Sequence, residues 1–221
     1  MKAFLTTAGE GRQLMFFRNG QTIFAQGDAS DAVFVVQTGL VTLSARPQGA
    51  KGTEESRQAV IDIVGKMDFF GKCSISDESF RIASARALTD CYVLRIEKMT
   101  MLSTLAGELE LSNVLCASLL AGNTRYQQDL VDQRCNYSER RLARVLLRLA
   151  QLDGKSSPET KMERINHRIL AEMVGTTRSR VCAFMKTFET AGLIEYALKK
   201  QRMRVSDCLL EALSDSRRSY T

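Results

Sequence analysis

The 221-residue sequence lacks or has little of four features, and each argues against a class of protein or site. No apolar run approaches the roughly 20 residues that a membrane-spanning helix needs, and the opening MKAFLTTAGEGRQ lacks the apolar core of a signal peptide. The six cysteines are scattered without a CxxC pair, so a clustered zinc or iron–sulfur site is not expected. His167 is the only histidine, which argues against haem or a Ser–His catalytic pair. We therefore expect a cytoplasmic protein with free cysteines and no bound metal.

The excess positive charge is confined to the C-terminal part of the chain. The formal net charge is +6. Residues 136–221 hold 17 basic and 10 acidic side chains, a balance of +7, whereas residues 1–135 hold 14 and 15, a balance of −1. This asymmetry favours nucleic acid as the partner of the C-terminal part.

The first ninety-odd residues have the pattern of short strands. Apolar, β-branched runs alternate with glycine and polar residues. The runs are QTIFAQGD, AVFVVQTGLVTLSA, RQAVIDIVG and ALTDCYVLRIEK. Their spacing predicts an antiparallel sandwich or jelly roll. The polar stretch 46–56 is predicted to be an exposed hairpin loop.

From about Lys98 to Cys135 the pattern becomes that of a long helix. Apolar and small residues recur there at intervals of three or four, along one stripe of the helix. The stripe contains Leu111, Leu115, Leu119, Gly122, Tyr126 and Leu130. A stripe of this length needs a partner, which is either the adjacent sheet or a second copy of the helix.

The segment NYSE, residues 136–139, predicts an interruption and a new helix, because Asn136 and Glu139 have the spacing of a capping box. The helix that follows, RRLARVLLRLAQL, separates its leucines from most of its arginines. We therefore predict a hinge near Asn136. The predicted parts are a β-rich domain at 1–98, a long helix at 99–135 and a basic helical domain at 136–221.

Residues 167–186 fit a helix-turn-helix template. Gly175 takes the tight turn, where a left-handed backbone is often needed, and Thr176 or Thr177 caps the second helix. The predicted inward-facing residues are Leu170, Ala171, Val174, Val181, Phe184, Met185 and Phe188.

The first turn of the second helix carries Arg178 and Arg180, although the helix dipole disfavours cations at that end. A phosphate or a guanine edge would reverse that balance, because this end of the motif enters the DNA major groove. The segment AGLIEYALKKQRMRVSD predicts two strands around a basic turn, which would form a wing beside the DNA backbone. The predicted DNA-binding residues are Thr176, Thr177, Arg178, Ser179, Arg180, Lys199 and Lys200.

Over roughly residues 14–206 the chain resembles the CRP/FNR family of bacterial transcription regulators. The stretches that carry the resemblance are QGDASDAVFVVQTGLVTL, DFFGKCSISDESFRIASARAL, the long helix ending in DLVDQ, and ILAEMVGTTRSRVCAFMKTFETAGLI. The resemblance implies an α+β fold, in which a cyclic-nucleotide-binding-type antiparallel β-roll is followed by a long dimerisation helix and a C-terminal winged helix-turn-helix. It also implies that the stripe from Leu111 to Leu130 forms the seam of a symmetric dimer.

The resemblance further implies an effector pocket. In cAMP-binding members a Gly-Glu pair begins the nucleotide cassette, with the Glu on the ribose hydroxyl, and an Arg-Ser pair ends it on the cyclic phosphate. Here Lys72 replaces that Glu and Ile82 replaces that Ser. The implied pocket residues are Gly71, Lys72, Cys73, Arg81, Ile82, Tyr126 and Gln127.

An ammonium cannot take the place of a carboxylate acceptor, so ordinary cAMP binding is not expected. Three alternatives remain for the pocket. It binds another nucleotide or a different anionic small molecule, it is closed by side chains, or it responds to protein contacts alone. The oxygen-sensing branch of the family uses an N-terminal cysteine cluster, and no cysteine here precedes Cys73. No iron–sulfur cluster is therefore expected, and with His167 as the only histidine no haem is expected either.

The sequence thus predicts a homodimeric, sequence-specific DNA-binding transcription regulator and not an enzyme. Its expected partners are double-stranded DNA with a palindromic site, a second copy of the chain and, by the resemblance, RNA polymerase; no membrane is expected. In the recognition helix Ser179 and Ala183 replace a base-reading Glu and Arg of cAMP-receptor type, so a different operator is expected. The alternatives are an effector-binding module that acts through a protein partner, and a cAMP-dependent regulator despite the altered cassette.

Overall fold

The computed structural model describes residues 2–46, 59–76, 78–135, 137–152, 161–163, 165–197 and 202–215. The chain divides into two compact units, Met1–Tyr126 and Gln127–Thr221. The division falls inside a helix, nine residues before the predicted hinge. Asn136 and residues 47–56 of the predicted loop lie outside the described residues.

Two antiparallel sheets form the body of the first unit. Within the described residues its strands β1 to β8 are Arg12–Phe17, Thr22–Phe24, Ala32–Thr38, Val41–Ala45, Ala59–Val64, Phe69–Phe70, Ser84–Ala87 and Cys91–Glu97. One sheet has the order β1-β8-β3-β6 and the other β2-β7-β4-β5. The predicted antiparallel sandwich is confirmed.

Strand β3 shows why the sheets pack as they do. Its apolar run is buried on both faces. Phe34 and Val36 belong to the core between the sheets, whereas Val33 and Val35 belong to a second core that also contains helical residues. Successive side chains of a strand point to opposite faces, so one continuous apolar run supplies both cores.

Strand β1 was not predicted from the sequence. It pairs with β8 over its whole length, from Arg12 opposite Ile96 to Phe17 opposite Cys91. It lies at the edge of its sheet, and its apolar Leu14 and Phe16 are exposed. An edge strand with apolar residues on its outer face lacks the alternation that marks a strand in sequence.

The helices of the first unit pack beside the second core. They are α1 (Lys2–Thr6), a 3-10 helix (Lys72–Ile75), α2 (Lys98–Gly107) and the first part of α3 (Leu109–Cys135), which continues past Tyr126 into the second unit. The single helix predicted for 99–135 was wrong, because the chain bends by 114° between α2 and α3. Glu108 is extended at the break, and the bend places Leu111 and Leu115 in the second core. No single helix of the described residues is both long and apolar enough to cross a membrane.

The second unit contains a helix-turn-helix and a small sheet. After the end of α3 come α4 (Ser138–Leu152), β9 (Lys161–Glu163), α5 (His167–Val174) and α6 (Arg178–Thr190). They are followed by β10 (Ile194–Ala197), β11 (Arg202–Val205) and α7 (Leu209–Asp215). The two predicted wing strands, β10 and β11, pair antiparallel. Strand β9 pairs with β11 as a third strand that the sequence did not reveal.

Candidate functional site

The turn between α5 and α6 has the predicted backbone. The Asn166 side chain begins α5 by accepting a hydrogen bond from the Arg168 backbone N–H. Gly175 ends α5 in the left-handed conformation, with φ 68°. Thr177, rather than Thr176, caps α6, and its hydroxyl accepts from the Arg180 backbone N–H at 3.3 Å. Each chain reversal therefore has a local cause in the sequence.

The inward faces of both helices are buried as predicted, with one exception. Phe184 is half-buried, whereas Val181, Met185 and Phe188 are buried on α6. Residues Leu170, Ala171 and Val174 are buried on α5. The opposite side of α6 is consequently fixed as an exposed surface.

That exposed surface of α6 begins with a cluster of donors. Arg178, Ser179 and Arg180 are exposed, and the first turn contains no acidic residue. Among the described residues neither guanidinium is paired with a carboxylate. The Thr177 and Ser179 hydroxyls lie 3.1 Å apart. Unpaired cations beside the positive end of a helix dipole form a site for an external anion.

The wing supplies further positive charge next to this helix. Arg202 in β11 is exposed, and Arg204 pairs with Glu195 of β10 at 3.2 Å. The predicted backbone-contacting residues Lys199 and Lys200 lie outside the described residues.

A cavity of about 250 Å³ opens in the first unit beside the 3-10 helix. Six of the seven predicted pocket residues line it, namely Gly71, Lys72, Cys73, Arg81, Ile82 and Tyr126. Gln127 is not among the lining residues. The cavity is slightly smaller than the roughly 300–1,000 Å³ typical of small-molecule sites.

Arg81 is held by the protein itself. Its side chain is 1% exposed, and its guanidinium donates to the carbonyl oxygens of Gly71 at 3.1 Å and Ala32 at 2.8 Å. Its guanidinium carbon lies 4.4 Å from the centre of the Phe24 ring. Arg81, which was predicted to bind a phosphate, therefore uses part of its hydrogen-bond donors to hold the fold together. Only its remaining donors are available to a ligand. Its buried Nε has no hydrogen-bond partner among the described residues.

Lys72 lies near a buried carboxylate that was not predicted from the sequence. Asp62 is 1% exposed and lies in the cavity wall with Lys72. The Tyr126 hydroxyl donates to Asp62 at 3.3 Å, and Arg125 lies 3.7 Å from the same oxygen. Burial, followed by the charge of Arg125, lowers the pKa of Lys72, while Asp62 acts to raise it. An aspartate inside the apolar run AVIDIV was the signal in the sequence.

The predicted dimer stripe is divided between two roles. Leu111 and Leu115 are 0% and 6% exposed and belong to the core of the first unit, so they cannot contact a second copy. Leu119 and Leu130 remain exposed. A different set of exposed residues follows a strict 4-3 spacing, and we call it the outer row. The outer row is Leu109, Asn113, Cys116, Leu120, Asn123, Gln127 and Leu130.

Two family descriptions match the two units of the chain. Residues 14–108 match the cyclic nucleotide-binding domain, and residues 140–213 match the Crp-like helix-turn-helix domain. The first match contains every lining residue of the cavity except Tyr126, and the second contains α5, α6 and the wing strands.

Similar proteins extend over most of the chain. The CRP-like cAMP-activated global transcriptional regulator of Mycobacterium tuberculosis is 28% identical over 195 residues, which cover 86% of this chain and 83% of that protein. The cyclic AMP receptor protein of Thermus thermophilus is 29% identical over 184 residues, covering 82% and 79%. The solved structure of FixK2 from Bradyrhizobium japonicum has the same fold, with a TM-score of 0.76 at 14% identity, covering 92% and 96%.

Proposed function

Because this chain belongs to the CRP/FNR family of transcription regulators, we propose that it acts as a dimer that binds a palindromic site in double-stranded DNA. The observation that carries the proposal is the first turn of α6, where Arg178 and Arg180 are exposed and no acidic residue accompanies them. Arginine is the commonest bidentate reader of guanine. RNA polymerase is a further partner, proposed on the family resemblance alone.

In this proposal α6 enters the major groove and positions Arg178 against a base edge. Thr177 caps the helix, and the free N–H groups of the first turn bind phosphate together with Ser179. The wing, including Lys199 and Lys200, contacts the DNA backbone. The net charge of +7 over residues 136–221 supports association with a polyanion.

The dimer in this proposal forms through the outer row of α3. Its exposed positions have the spacing of the a and d positions of a coiled coil. Leu109, Cys116, Leu120 and Leu130 supply apolar contacts, while Asn113, Asn123 and Gln127 supply polar ones that set the register.

We also propose that the pocket takes a small anion other than cAMP. Lys72 stands where a ribose-binding carboxylate is expected, and Arg81 already bonds two backbone carbonyls. The side chain of Lys72 nevertheless lines the cavity, and the buried Nε atoms of Arg81 and Arg125 lack partners among the described residues. Buried N–H groups without an acceptor are unfavourable, so a ligand that supplies acceptor oxygens would be stabilised there.

The test is selection of bound sequences from random duplex DNA, performed on the full chain without ligand and again with cAMP. We expect one palindromic consensus in both selections, with affinity that falls steeply as salt rises. If no sequence is enriched and the protein instead retains protein partners, the proposal of DNA binding is wrong. Enrichment only with cAMP would show that Lys72 and Ile82 do not block the nucleotide, and would overturn the pocket proposal.

A further inference from the structure

A cysteine and the single histidine of the chain form a pair on the helix-turn-helix. The Cys182 Sγ lies 3.1 Å from His167 Nδ1. His167 is the first residue of α5 and Cys182 lies in the second turn of α6, so the contact joins the two helices. A thiol and an imidazole within hydrogen-bonding distance have the geometry of a nucleophile and its base.

The surroundings of Cys182 are basic and open to solvent. Cys182 is exposed, as are Arg178 four residues before it and Lys186 four residues after it. Residues at this spacing share one face of a helix. Reactive cysteines are found in electropositive, solvent-accessible surroundings of this kind.

The other cysteines of the chain lack this arrangement and serve as internal references. Cys135 and Cys208 are exposed, whereas Cys116 lies in the proposed dimer seam, and the only histidine of the chain contacts Cys182. Cys91 is buried, and burial raises the pKa of its thiol to about 11. Exposure therefore does not single out Cys182, whereas its imidazole partner does.

We propose that Cys182 is a thiol-oxidation site, that His167 assists its reaction with hydroperoxides, and that its modification releases DNA. The release rests on the DNA binding proposed above, whereas the thiol chemistry does not.

The chemistry needs only a peroxide and a low-molecular-weight thiol. The Cys182 proton passes to His167, and the thiolate attacks one peroxide oxygen. The S–O bond forms as the O–O bond breaks, and the leaving hydroxide takes the proton from the imidazolium, giving a sulfenic acid and water. A low-molecular-weight thiol then displaces water from the sulfenic sulfur and leaves a mixed disulfide.

The position of Cys182 connects this chemistry to DNA release. It lies one turn after Arg178, on the exposed side of α6 that is proposed to enter the major groove. A mixed disulfide with glutathione adds a bulky group of net negative charge to that surface. It would collide with the DNA and repel its phosphates.

The first experiment measures the site chemistry on the reduced full chain. Hydrogen peroxide is added with a sulfenic-acid probe, and labelling of each cysteine is followed by peptide mass spectrometry. We expect Cys182 to be labelled about tenfold faster than Cys208, and His167→Asn to reduce Cys182 to the rate of Cys208. Arg168→Gln, at the neighbouring position of α5, is the control and should leave the rate of Cys182 unchanged.

Equal rates for Cys182 and Cys208 in the unaltered protein would overturn the proposal, and this comparison holds even if His167→Asn fails to fold. An unchanged rate in a folded His167→Asn variant would remove His167 from the reaction.

The second experiment measures DNA binding to the selected site before and after treatment with hydrogen peroxide and then glutathione. We expect at least about tenfold weaker binding after treatment, and no change in a Cys182→Ser variant. Reduced protein that binds no DNA would refute the proposed function and leave the thiol chemistry standing. Tight binding by both the reduced and the modified protein would refute the release instead.

Discussion

The hydroxyl of Tyr126 donates a hydrogen bond to the buried carboxylate of Asp62 at 3.3 Å. Tyr126 lies on α3 and Asp62 on β5, so this bond joins the long helix to the sheet across the pocket. Arg125 lies 3.7 Å from the same carboxylate. A ligand that bridges helix and sheet would have to compete with this contact, because both residues stand at the site it would occupy.

Tyr126→Phe removes the hydroxyl and leaves Asp62 with one donor fewer. We expect the first unit to lose about 1–2 kcal/mol of unfolding free energy, since hydrogen bonds to charged groups contribute on that order. The rate at which buried Cys91 becomes labelled by a thiol reagent in increasing urea reports this unit separately. Tyr92→Phe changes an exposed tyrosine and should have almost no effect. Equal losses in the two variants would show that the bond to Asp62 does not stabilise the fold.

Gly71→Ala is expected to disrupt the floor of the pocket. Gly71 has φ +67°, and an added β-carbon would lie 2.7 Å from Arg81 Nη1 and 3.2 Å from Phe34. Gly20 has φ +83° with nothing within 4 Å of its added β-carbon, so Gly20→Ala carries the backbone strain alone. That strain costs about 1–2 kcal/mol, and we expect Gly71→Ala to cost about 1–3 kcal/mol more. The same Cys91 labelling measures both, and equal costs would mean that Arg81 shifts freely.

Leu120→Glu is expected to separate the proposed dimer without unfolding the first unit. Leu120 is 68% exposed and lies in the middle of the outer row. In a symmetric dimer the introduced carboxylates of the two copies would lie close together and repel each other. Light scattering after size-exclusion chromatography should report a monomer. Leu111→Ala should instead destabilise the first unit by about 2–5 kcal/mol, because Leu111 is fully buried. A dimer that survives Leu120→Glu would contradict the outer row as the seam.

Arg178→Ala is expected to relax the DNA preference at one base position. Loss of a bidentate contact to guanine costs about 1–3 kcal/mol against the wrong base. Repeating the selection with the variant measures this. Arg18→Ala removes the same charge from an exposed site in the first unit and should leave the consensus unchanged. An unaltered consensus in Arg178→Ala would rule out base reading by this residue.

Lys199→Ala is expected to weaken binding to all sequences alike and to reduce the salt slope by about one, as for a lost phosphate contact. Titrations of the selected site and of a scrambled duplex at several salt concentrations measure this. Weakening confined to the selected site would contradict a role in binding the DNA backbone.

The helix-turn-helix was predictable because its determinants are local. Gly175 ends α5 and Thr177 caps α6 through contacts within a few residues, and the apolar spacing marks the buried faces. The antiparallel sandwich was predictable for the same reason, because short β-branched runs separated by turn residues are a local pattern. Strand β9 was not predicted, because its three residues are too few to show a periodic pattern. Strand β1 was not predicted, because it is an edge strand that exposes apolar side chains.

The pocket depended on residues that are distant in sequence. Lys72 and Arg81 were recognised from the cassette, but Asp62 and Arg125 meet there only through the folding of β5 and α3 against it. The same holds for Arg81, whose acceptors include the carbonyl of Ala32, 49 positions away.

The sequence by itself therefore determined the family, the order of the elements and the exposed arginines of α6, because each depends on residue types at short spacing. Only the tertiary structure decided which stripe of α3 is available to a partner. Leu111 and Leu119 belong to the same predicted stripe, but packing after the bend at Glu108 buries the first in the core of the first unit and leaves the second exposed. Tertiary packing also placed His167 against Cys182, since side chains fifteen residues apart on two helices meet only when those helices pack.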